Sequence, residues 1–397
     1  MITADGISPT KRKPDFADLI IVVACGLGLS FTALFLATMP LIPALSGSRD
    51  YLVYWATGQQ LVHHANPYDA DQMGRLEHQA GLTLEGSYYM RNPPWALPLA
   101  YPLGFVPERL GALPWSLLLL GSLIISVRML SRTLDADKRG ITMLGFCLPP
   151  ALISVIMGQI SLLVLLGLVL FLVLHDRRPY LAGSSLWLCS LKPHLLLLFG
   201  LVVLVWIVRN RNYKIVVGFA VTLIASCVLT EWIDPAAWQQ YLQWSKTSGI
   251  ETEFIPCLAV LLRQSISPTT GWLAFVPAVL GSCWAVGFYW KRRDRWDWVG
   301  DGGVLVLTSF LVAPYCWIWD QTLALPALLH SAFGTTSRRV LGALGVLYIS
   351  IEIMQFTGVS TRSALYLWPA LAWPIWNLIA RRYRQRPEPG LRLEHTD

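Results

Sequence analysis

The sequence predicts an all-α polytopic membrane protein, and three observations support this fold class. Long apolar runs recur between residues 18 and 380, and each approaches the roughly 20 residues that a helix needs to cross a hydrocarbon core about 30 Å thick. Only 14% of the 397 residues are charged, against about 25% in typical soluble domains. The runs are continuous rather than alternating in polarity, which disfavours a β-barrel.

Composition also limits the expected partners. The formal net charge of +7 could indicate nucleic-acid binding, but the basic residues cluster at the ends of the apolar runs, where membrane topology explains them. We therefore expect a lipid bilayer as partner and no nucleic acid. The seven cysteines are odd in number and form no CxxC pair, so we expect small core residues rather than disulfides.

Basic residues predict how the helices are oriented, because positively charged flanks stay in the cytoplasm. A first helix over residues 19–41 follows the basic residues 11–13, which places the N-terminus inside and residues 42–94 outside. Later basic clusters mark returns to the inner side, at 128–139, 175–178, 209–214, 291–293, 338–339 and 381–384. The pattern predicts about 12 transmembrane helices, within a range of 10–13, with both termini cytoplasmic. We expect the membrane to be a bacterial inner membrane.

Three turns fall on the same outer side as the first loop, at residues 158–159, 192–194 and 314–320. The runs before two of them, 181–191 and 304–313, cover only about half of the bilayer at about 1.5 Å per residue. We therefore expect these turns to lie below the membrane surface, in a cavity where irregular backbone and ions are tolerated.

The chain shows no clear internal repeat, so we expect residues 1–385 to form a single integral-membrane domain with a catalytic outer loop at 42–94. No phosphate-binding loop is present, so a cytosolic nucleotide-sugar enzyme is not expected. Residues 386–397 are polar and contain Pro387 and Pro389, which predicts a disordered cytoplasmic tail.

The outer loop contains the first candidate for catalysis, Asp50. Aromatic and apolar residues after it follow the spacing of one helix face: Tyr51, Tyr54, Trp55, Gly58 and Val62. This predicts an amphipathic helix that lies on the outer interface, with Asp50 at its N-terminus. The helix dipole favours an ionised carboxylate there, available as a proton acceptor. The alternative is that Asp50 only caps the helix, since Asp is common at that position.

Other charged residues lie beside the outer turns. Lys192 lies in an apolar stretch, where a cation indicates function, and Pro193 leaves backbone N–H groups free for an anion. We interpret Lys192 as a phosphate ligand or as a lysine that snorkels to the interface. Arg91 adds a cation to the same face or anchors a helix. Asp320 orders Lys192, holds an acceptor hydroxyl or is an ordinary loop acid.

Metal binding has only a weak signal. Asp69 and Asp71 imitate a metal-binding pair of carboxylates, but a two-residue match is weak and a solvated turn is favoured. No zinc spacing or Ser/His/Asp set stands out, so we expect no metal and no other cofactor.

Short motifs follow one another between residues 19 and 329: Asp50, residues 54–58, Asn66-Pro67-Tyr68, Asn92-Pro93-Pro94, Gly158-Gln159, Leu191-Lys192-Pro193, and a turn with Pro314, Trp317 and Asp320. In order and spacing they resemble glycosyltransferase family 87, the polyprenol-phosphate-mannose-dependent mannosyltransferases of the GT-C superfamily. Asn92 stands where relatives usually have Tyr, and Tyr315 and Trp319 stand where they often have His. These departures leave the acceptor open.

The resemblance implies a GT-C-type bundle and an enzyme that moves a hexose, expected to be mannose, from a polyprenyl-phosphate donor to a glycolipid or glycan acceptor. It also implies that Asp50 is the catalytic base. Because phosphate is the leaving group, one base and cations that face the phosphate suffice. We expect Lys192, assisted by His194 and Arg91, to bind that phosphate, and the reaction to invert the anomeric centre. The substrate cavity is expected to include Tyr54, Asn66, Tyr68, Asn92, Gln159, Trp317 and Asp320.

Two other functions remain open. One is a transporter or flippase of a lipid-linked or small anionic substrate. Transporters tend to place polar sites at the midplane between related repeats, whereas here the polar candidates gather on one side. The other is a noncatalytic GT-C-like partner in an assembly of cell-envelope enzymes.

Overall fold

The fold was derived from a computed structural model, which describes residues 16–38, 50–82, 90–134, 139–247, 254–267, 269–357, 359–360 and 362–384. The expected tail at 386–397 lies outside the described residues. So do residues 42–49 and 83–89 of the expected outer loop.

Within the described ranges the chain forms α-helices joined by turns and short 3₁₀ segments, and it forms no β-strand. The helices of the first half are α1 Phe16–Thr38, α2 Tyr51–Val62, α3 Ala70–Gln79, α4 Leu97–Ala100, α5 Glu108–Leu134, α6 Arg139–Phe146, α7 Pro149–Met157, α8 Ser161–Leu174 and α9 Pro179–Cys189. Those of the second half are α10 Leu197–Asn210, α11 Lys214–Ile233, α12 Ala237–Thr247, α13 Leu258–Ile266, α14 Val276–Arg292, α15 Gly300–Val312, α16 Leu325–Gly334, α17 Arg338–Phe356 and α18 Trp368–Arg382.

Seven helical segments in the described part of the chain are long and apolar enough to cross a membrane. The protein is therefore an all-α polytopic membrane protein, but this number does not support the expected count of about 12. Several apolar runs form helices that are too short. For example, α8 and α15 contain 14 and 13 residues, or about 20 Å each at 1.5 Å per residue.

Small residues let neighbouring helices approach closely, as is typical of helices packed in membranes. Gly183 of α9 faces the carbonyl of Ile215, and Gly218 of α11 faces the carbonyl of Tyr180. A Cβ atom at either glycine would collide with the backbone of the other helix. Large apolar side chains on the outer face of α11, such as Val221 and Val228, are exposed as lipid-facing residues would be.

Helix α2 forms as predicted, but it is not an amphipathic helix on a membrane interface. All its residues except Gln59 and Val62 are buried. Three side chains one turn apart donate hydrogen bonds to carbonyls at the start of α5 and in the segment before it: Tyr51 Oη to Glu108 (2.9 Å), Trp55 Nε1 to Val106 (2.9 Å) and Gln59 Nε2 to Gly104 (3.0 Å). Gly58 lies directly against Gly104. The aromatic face expected to contact lipid therefore packs on protein.

Candidate active site

A tight turn between α7 and α8 brings two sequence motifs together. Gly158 closes α7 with a φ angle of +76°, a conformation that favours glycine. A Cβ atom there would lie 2.6 Å from the Cβ atom of Tyr51 at the start of α2. On its other side the carbonyl of Gly158 accepts a hydrogen bond from Trp115 Nε1 at 2.8 Å. The turn is thus fixed against α2, and the next residue, Gln159, faces Asp50.

Within the part of the chain that the structure describes, the Asp50 side chain does not cap helix α2. It makes no capping hydrogen bond to the first turn of α2. Its Oδ2 atom instead accepts a hydrogen bond from Gln159 Nε2, and the residue is only 7% exposed. This geometry does not support the capping alternative for the Asp50 side chain.

Gln159 connects Asp50 to a cation. Its Oε1 atom accepts a hydrogen bond from Lys192 Nζ at 3.1 Å. Lys192 also donates to Ser161 Oγ at 3.0 Å and to Asp320 Oδ1 at 2.7 Å. Asp50, Gln159, Lys192 and Asp320 therefore form one continuous network. Ser161 is not among the residues predicted from the sequence, although it lies two residues after Gln159 and begins an apolar helix, which is a usable signal.

Asp320 orders the lysine, which is one of the roles considered for it. The residue is fully buried, and its Oδ1 atom accepts from Ser161 Oγ at 2.7 Å as well as from Lys192. Its Oδ2 atom accepts from the backbone N–H of Trp317 at 3.0 Å. An ammonium group has three donors, and here Gln159, Ser161 and Asp320 engage all three. A phosphate would have to replace one of these partners to bind Lys192.

Burial controls the protonation of the two acidic groups near α2. Burial raises the pKa of Asp50, while the hydrogen bond from Gln159 and the charges of Lys192 and Arg91 lower it by less. Burial and the nearby Asp50 raise the pKa of Tyr54, so this phenol stays neutral. A carboxylate with a raised pKa is a stronger base than an exposed one.

Arg91 and Asn92 approach the network from the segment before α4. The charge of Arg91 acts on Asp50, so the guanidinium lies on the same side of the site. Asn92 Nδ2 donates to the carbonyl of Leu191 at 2.9 Å, immediately before Lys192. Asn92 therefore positions the backbone that carries the lysine.

His194 and Trp317 lie beside the network. The His194 ring lies 3.9 Å from the ring of Tyr315, measured between centroids. Its Nε2 atom is buried and has no hydrogen-bond partner among the described residues, so it is available to a ligand. Trp317 stacks on Trp319 at 5.1 Å between centroids.

Two expected substrate-cavity residues lie elsewhere. Asn66 Oδ1 accepts from the backbone N–H of Tyr68 at 2.9 Å, which closes the turn after α2. Tyr68 Oη donates to the carbonyl of Asn92 at 3.1 Å. Both residues line a separate cavity beside α12 whose lining includes neither Asp50 nor Lys192. Asn66 and Tyr68 therefore line a cavity at one place, and the Asp50–Lys192 network lies at another.

The Asp69/Asp71 pair has a local structural explanation. Asp69 Oδ1 accepts from the backbone N–H groups of Asp71 and Gln72, both at 3.0 Å, and so caps α3. The part of the chain that the structure describes contains no group of three or more His, Cys, Asp or Glu residues suited to a metal ion.

Comparison with known proteins gives one match. The family model for glycosyltransferase family 87 matches residues 89–314, which is more than half of the chain. The matched region contains Gln159, Ser161 and Lys192, and it begins after Asp50 and ends before Asp320. No curated protein and no solved structure matches the chain.

Proposed function

This chain belongs to glycosyltransferase family 87, and we propose that it transfers a hexose from a polyprenyl-phosphate donor to a hydroxyl of a glycolipid or glycan acceptor. The family match and the apolar helices make it a membrane glycosyltransferase. Mannose is the proposed sugar because the motifs of this chain resemble those of mannosyltransferases. The GT-C-type bundle belongs to the same proposal, with residues 1–385 as one domain.

One observation supports the proposed chemistry above the others: a buried carboxylate, Asp50, shares the Gln159 amide with the Lys192 ammonium. In the proposed step Asp50 takes the proton of the acceptor hydroxyl while the hydroxyl oxygen attacks the anomeric carbon. The bond from that carbon to the phosphate oxygen breaks, and polyprenyl phosphate leaves with the electron pair. Direct displacement from the opposite face inverts the anomeric centre.

The leaving phosphate gains negative charge, and fixed cations stabilise such charge in a site with little water. We propose that the phosphate takes the place of one oxygen partner of Lys192, with Arg91 beside it. His194 Nε2, which has no hydrogen-bond partner among the residues that the structure describes, would lie on the same side. This arrangement calls for no metal or other cofactor.

The membrane placement is part of the proposal. We propose that the site faces the extracytoplasmic side of a bacterial inner membrane, with both termini in the cytoplasm. The basic residues near the ends of α10 and α14 support this orientation. Some of the 12 expected crossings would then be partial, because helices such as α8 and α15 are short.

Substitution of Asp50 by Asn tests the proposal, because it keeps the shape of the side chain and removes the base. We expect transfer from a radiolabelled polyprenyl-phosphate hexose to fall by about 10²–10⁴-fold, without loss of thermal stability. Asp71→Asn, an exposed carboxylate in the first turn of α3, is the matched control and should retain full transfer.

Unchanged transfer by a folded Asp50→Asn protein would contradict the base assignment. Failure of the wild-type protein to use any polyprenyl-phosphate sugar, together with uptake of substrate into vesicles, would instead indicate a transporter.

A further inference from the structure

The cavity that Asn66 and Tyr68 line lies between the α2–α3 connection and α12, with a volume of about 270 Å³. It is apart from the Asp50–Lys192 network, and the proposed chemistry does not use it. Its lining consists of Asn66, Tyr68, Ala70, Gln240, Gln243, Trp244 and Thr247.

The lining combines aromatic surface with neutral hydrogen-bonding groups. The Tyr68 ring lies 5.3 Å from that of Tyr241 and 6.1 Å from that of Trp244, which forms an aromatic cluster at the cavity. Amide and hydroxyl groups surround this cluster, and none of the described lining residues is charged. Aromatic faces accept the apolar faces of sugar rings, and amides bind their hydroxyls as both donors and acceptors.

One acceptor at the cavity is unpartnered. Gln240 Oε1 is buried and has no hydrogen-bond partner among the described residues. A buried acceptor without a partner is unfavourable, and a hydroxyl group in the cavity would satisfy it. This points to a ligand with hydroxyl donors rather than to a lipid chain.

The cavity lies far from the proposed reacting atoms but is connected to them. Asp50 precedes α2 and Asn66 follows it, and the 12 residues of this helix span about 18 Å. Tyr68 bonds to the carbonyl of Asn92, and Asn92 bonds to the carbonyl of Leu191 beside Lys192. A molecule that reached both places would be several sugar units long.

We infer that this cavity binds a neutral saccharide unit of the acceptor, remote from the hydroxyl that reacts. The inference rests on the proposed function and adds a specific subsite for the acceptor. The uncharged lining disfavours the donor phosphate as the occupant. Binding energy that a remote subsite supplies equally to the bound acceptor and to the transition state lowers KM without changing kcat.

Binding is measured without turnover, in the Asp50→Asn protein held in lipid nanodiscs. Saturation-transfer NMR with a panel of neutral hexose di- to pentasaccharides should show binding, and Gln240→Ala and Gln243→Ala should each weaken it by about tenfold. Gln239→Ala is the matched control, because this glutamine is exposed on the same helix. Thr247→Val keeps the size of its side chain and tests the cavity in a variant expected to fold. Absence of binding by the unsubstituted cavity, or equal loss in Gln239→Ala, would overturn the inference.

A transfer assay separates the inference from the proposed function. In the protein with Asp50 intact, Gln240→Ala should raise KM for an oligosaccharide acceptor by about tenfold and leave kcat and transfer to a monosaccharide acceptor unchanged. Normal KM in all cavity variants of an active enzyme would overturn the subsite and leave the glycosyltransferase proposal intact. Saccharide binding in a protein that transfers no sugar would support the subsite and contradict the glycosyltransferase proposal.

Discussion

Asp50 is a base candidate because of what surrounds it rather than because of its position at a helix start. Its carboxylate is buried, accepts from Gln159 and is one amide group away from Lys192. Lys192 is in turn bound to the buried Asp320. Each of these side chains depends on the next one for its orientation, so substitutions that delete a hydrogen-bonding group of the network, unlike the isosteric Asp50→Asn, should lower both activity and stability.

The pH dependence of transfer should report the Asp50–Gln159 hydrogen bond. A base acts in its ionised form, and burial raises the pKa of Asp50 above the ordinary value of 3.8, so kcat/KM should rise with pH through that raised pKa. Gln159→Leu removes a hydrogen bond that lowers the pKa. The acid limb of the pH profile should therefore move to higher pH. An unmoved acid limb in Gln159→Leu would contradict the assignment of Asp50 as the base. Gln239→Leu changes an exposed glutamine and is the control, which should leave the acid limb in place.

The Lys192–Asp320 pair should dominate the electrostatic part of stability. Removal of one partner, in Lys192→Met or Asp320→Leu, leaves an unpaired charge in a buried site, with an expected loss of about 3–5 kcal/mol. The double variant should lose less stability than the sum of the losses in the two single variants. Unfolding in detergent measures this double-mutant cycle.

The exposed Arg209–Asp294 pair, with 2.7 Å between its charged atoms, is the matched control. The coupling energy of this exposed pair, from the same kind of double-mutant cycle, should be about 0–1 kcal/mol. Equal coupling energies in the two pairs would contradict the argument from burial.

At the scale of elements, α2 is positioned by its neighbours and in turn positions Asp50. Tyr51, Trp55 and Gln59 tie one face of the helix to the start of α5 and the segment before it. Gly58 and Gly104 let the two backbones touch. The other contact is Gly158, whose turn lies against the first residue of α2. The site therefore depends on two close backbone approaches, which three glycines make possible.

Gly58→Ala should disturb this arrangement. A Cβ atom there would collide with the carbonyl of Ala100 and the backbone of Gly104, so we expect a loss of about 1–3 kcal/mol in stability together with reduced transfer. Gly121→Ala is the control, since nothing lies within 4 Å of the new Cβ. It should be neutral or stabilise the helix by up to about 1 kcal/mol. Thermal unfolding and transfer by the two variants check this, and a tolerated Gly58→Ala would contradict the close packing.

At the scale of the whole molecule, a second buried carboxylate pairs with arginines at another position in the bundle. The buried Asp301 accepts from Arg292 at 2.9 Å and lies 3.6 Å from Arg381. This cluster joins the start of α15 to the ends of α14 and α18. Basic groups at helix ends are those expected on the cytoplasmic side.

Helix α11 offers a test of orientation, because it is a candidate membrane span of 20 residues. Lys214 begins α11 and Gln239 lies beyond its end, and both are exposed. In a protein without its native cysteines, Gln239→Cys should react with an impermeant maleimide from outside intact cells. Lys214→Cys should react only after permeabilisation. The reverse pattern would place the site on the cytoplasmic side.

The sequence by itself determined the class of fold and most helix breaks, because these depend on local properties. Long apolar runs require helices in a membrane, and the breaks near Gly158 and Pro193 follow from the backbone preferences of glycine and proline. The helix after Asp50 was predicted from its spacing. The motifs also identified Asp50, Gln159, Lys192 and Asp320 before their contacts were known.

Only the tertiary structure decided which of these residues meet. The hydrogen bonds of Gln159 to Asp50 and of Lys192 to Asp320 join residues more than 100 positions apart, and no local pattern encodes such pairs. Tertiary structure also separated Tyr68 from the Asp50 network and added Ser161 to it. The placement of α2 could not be predicted, because lipid and protein interior are both apolar and select the same aromatic face. Periodicity shows that one face of a helix is buried. Only the packing of the whole structure shows whether lipid or protein covers that face.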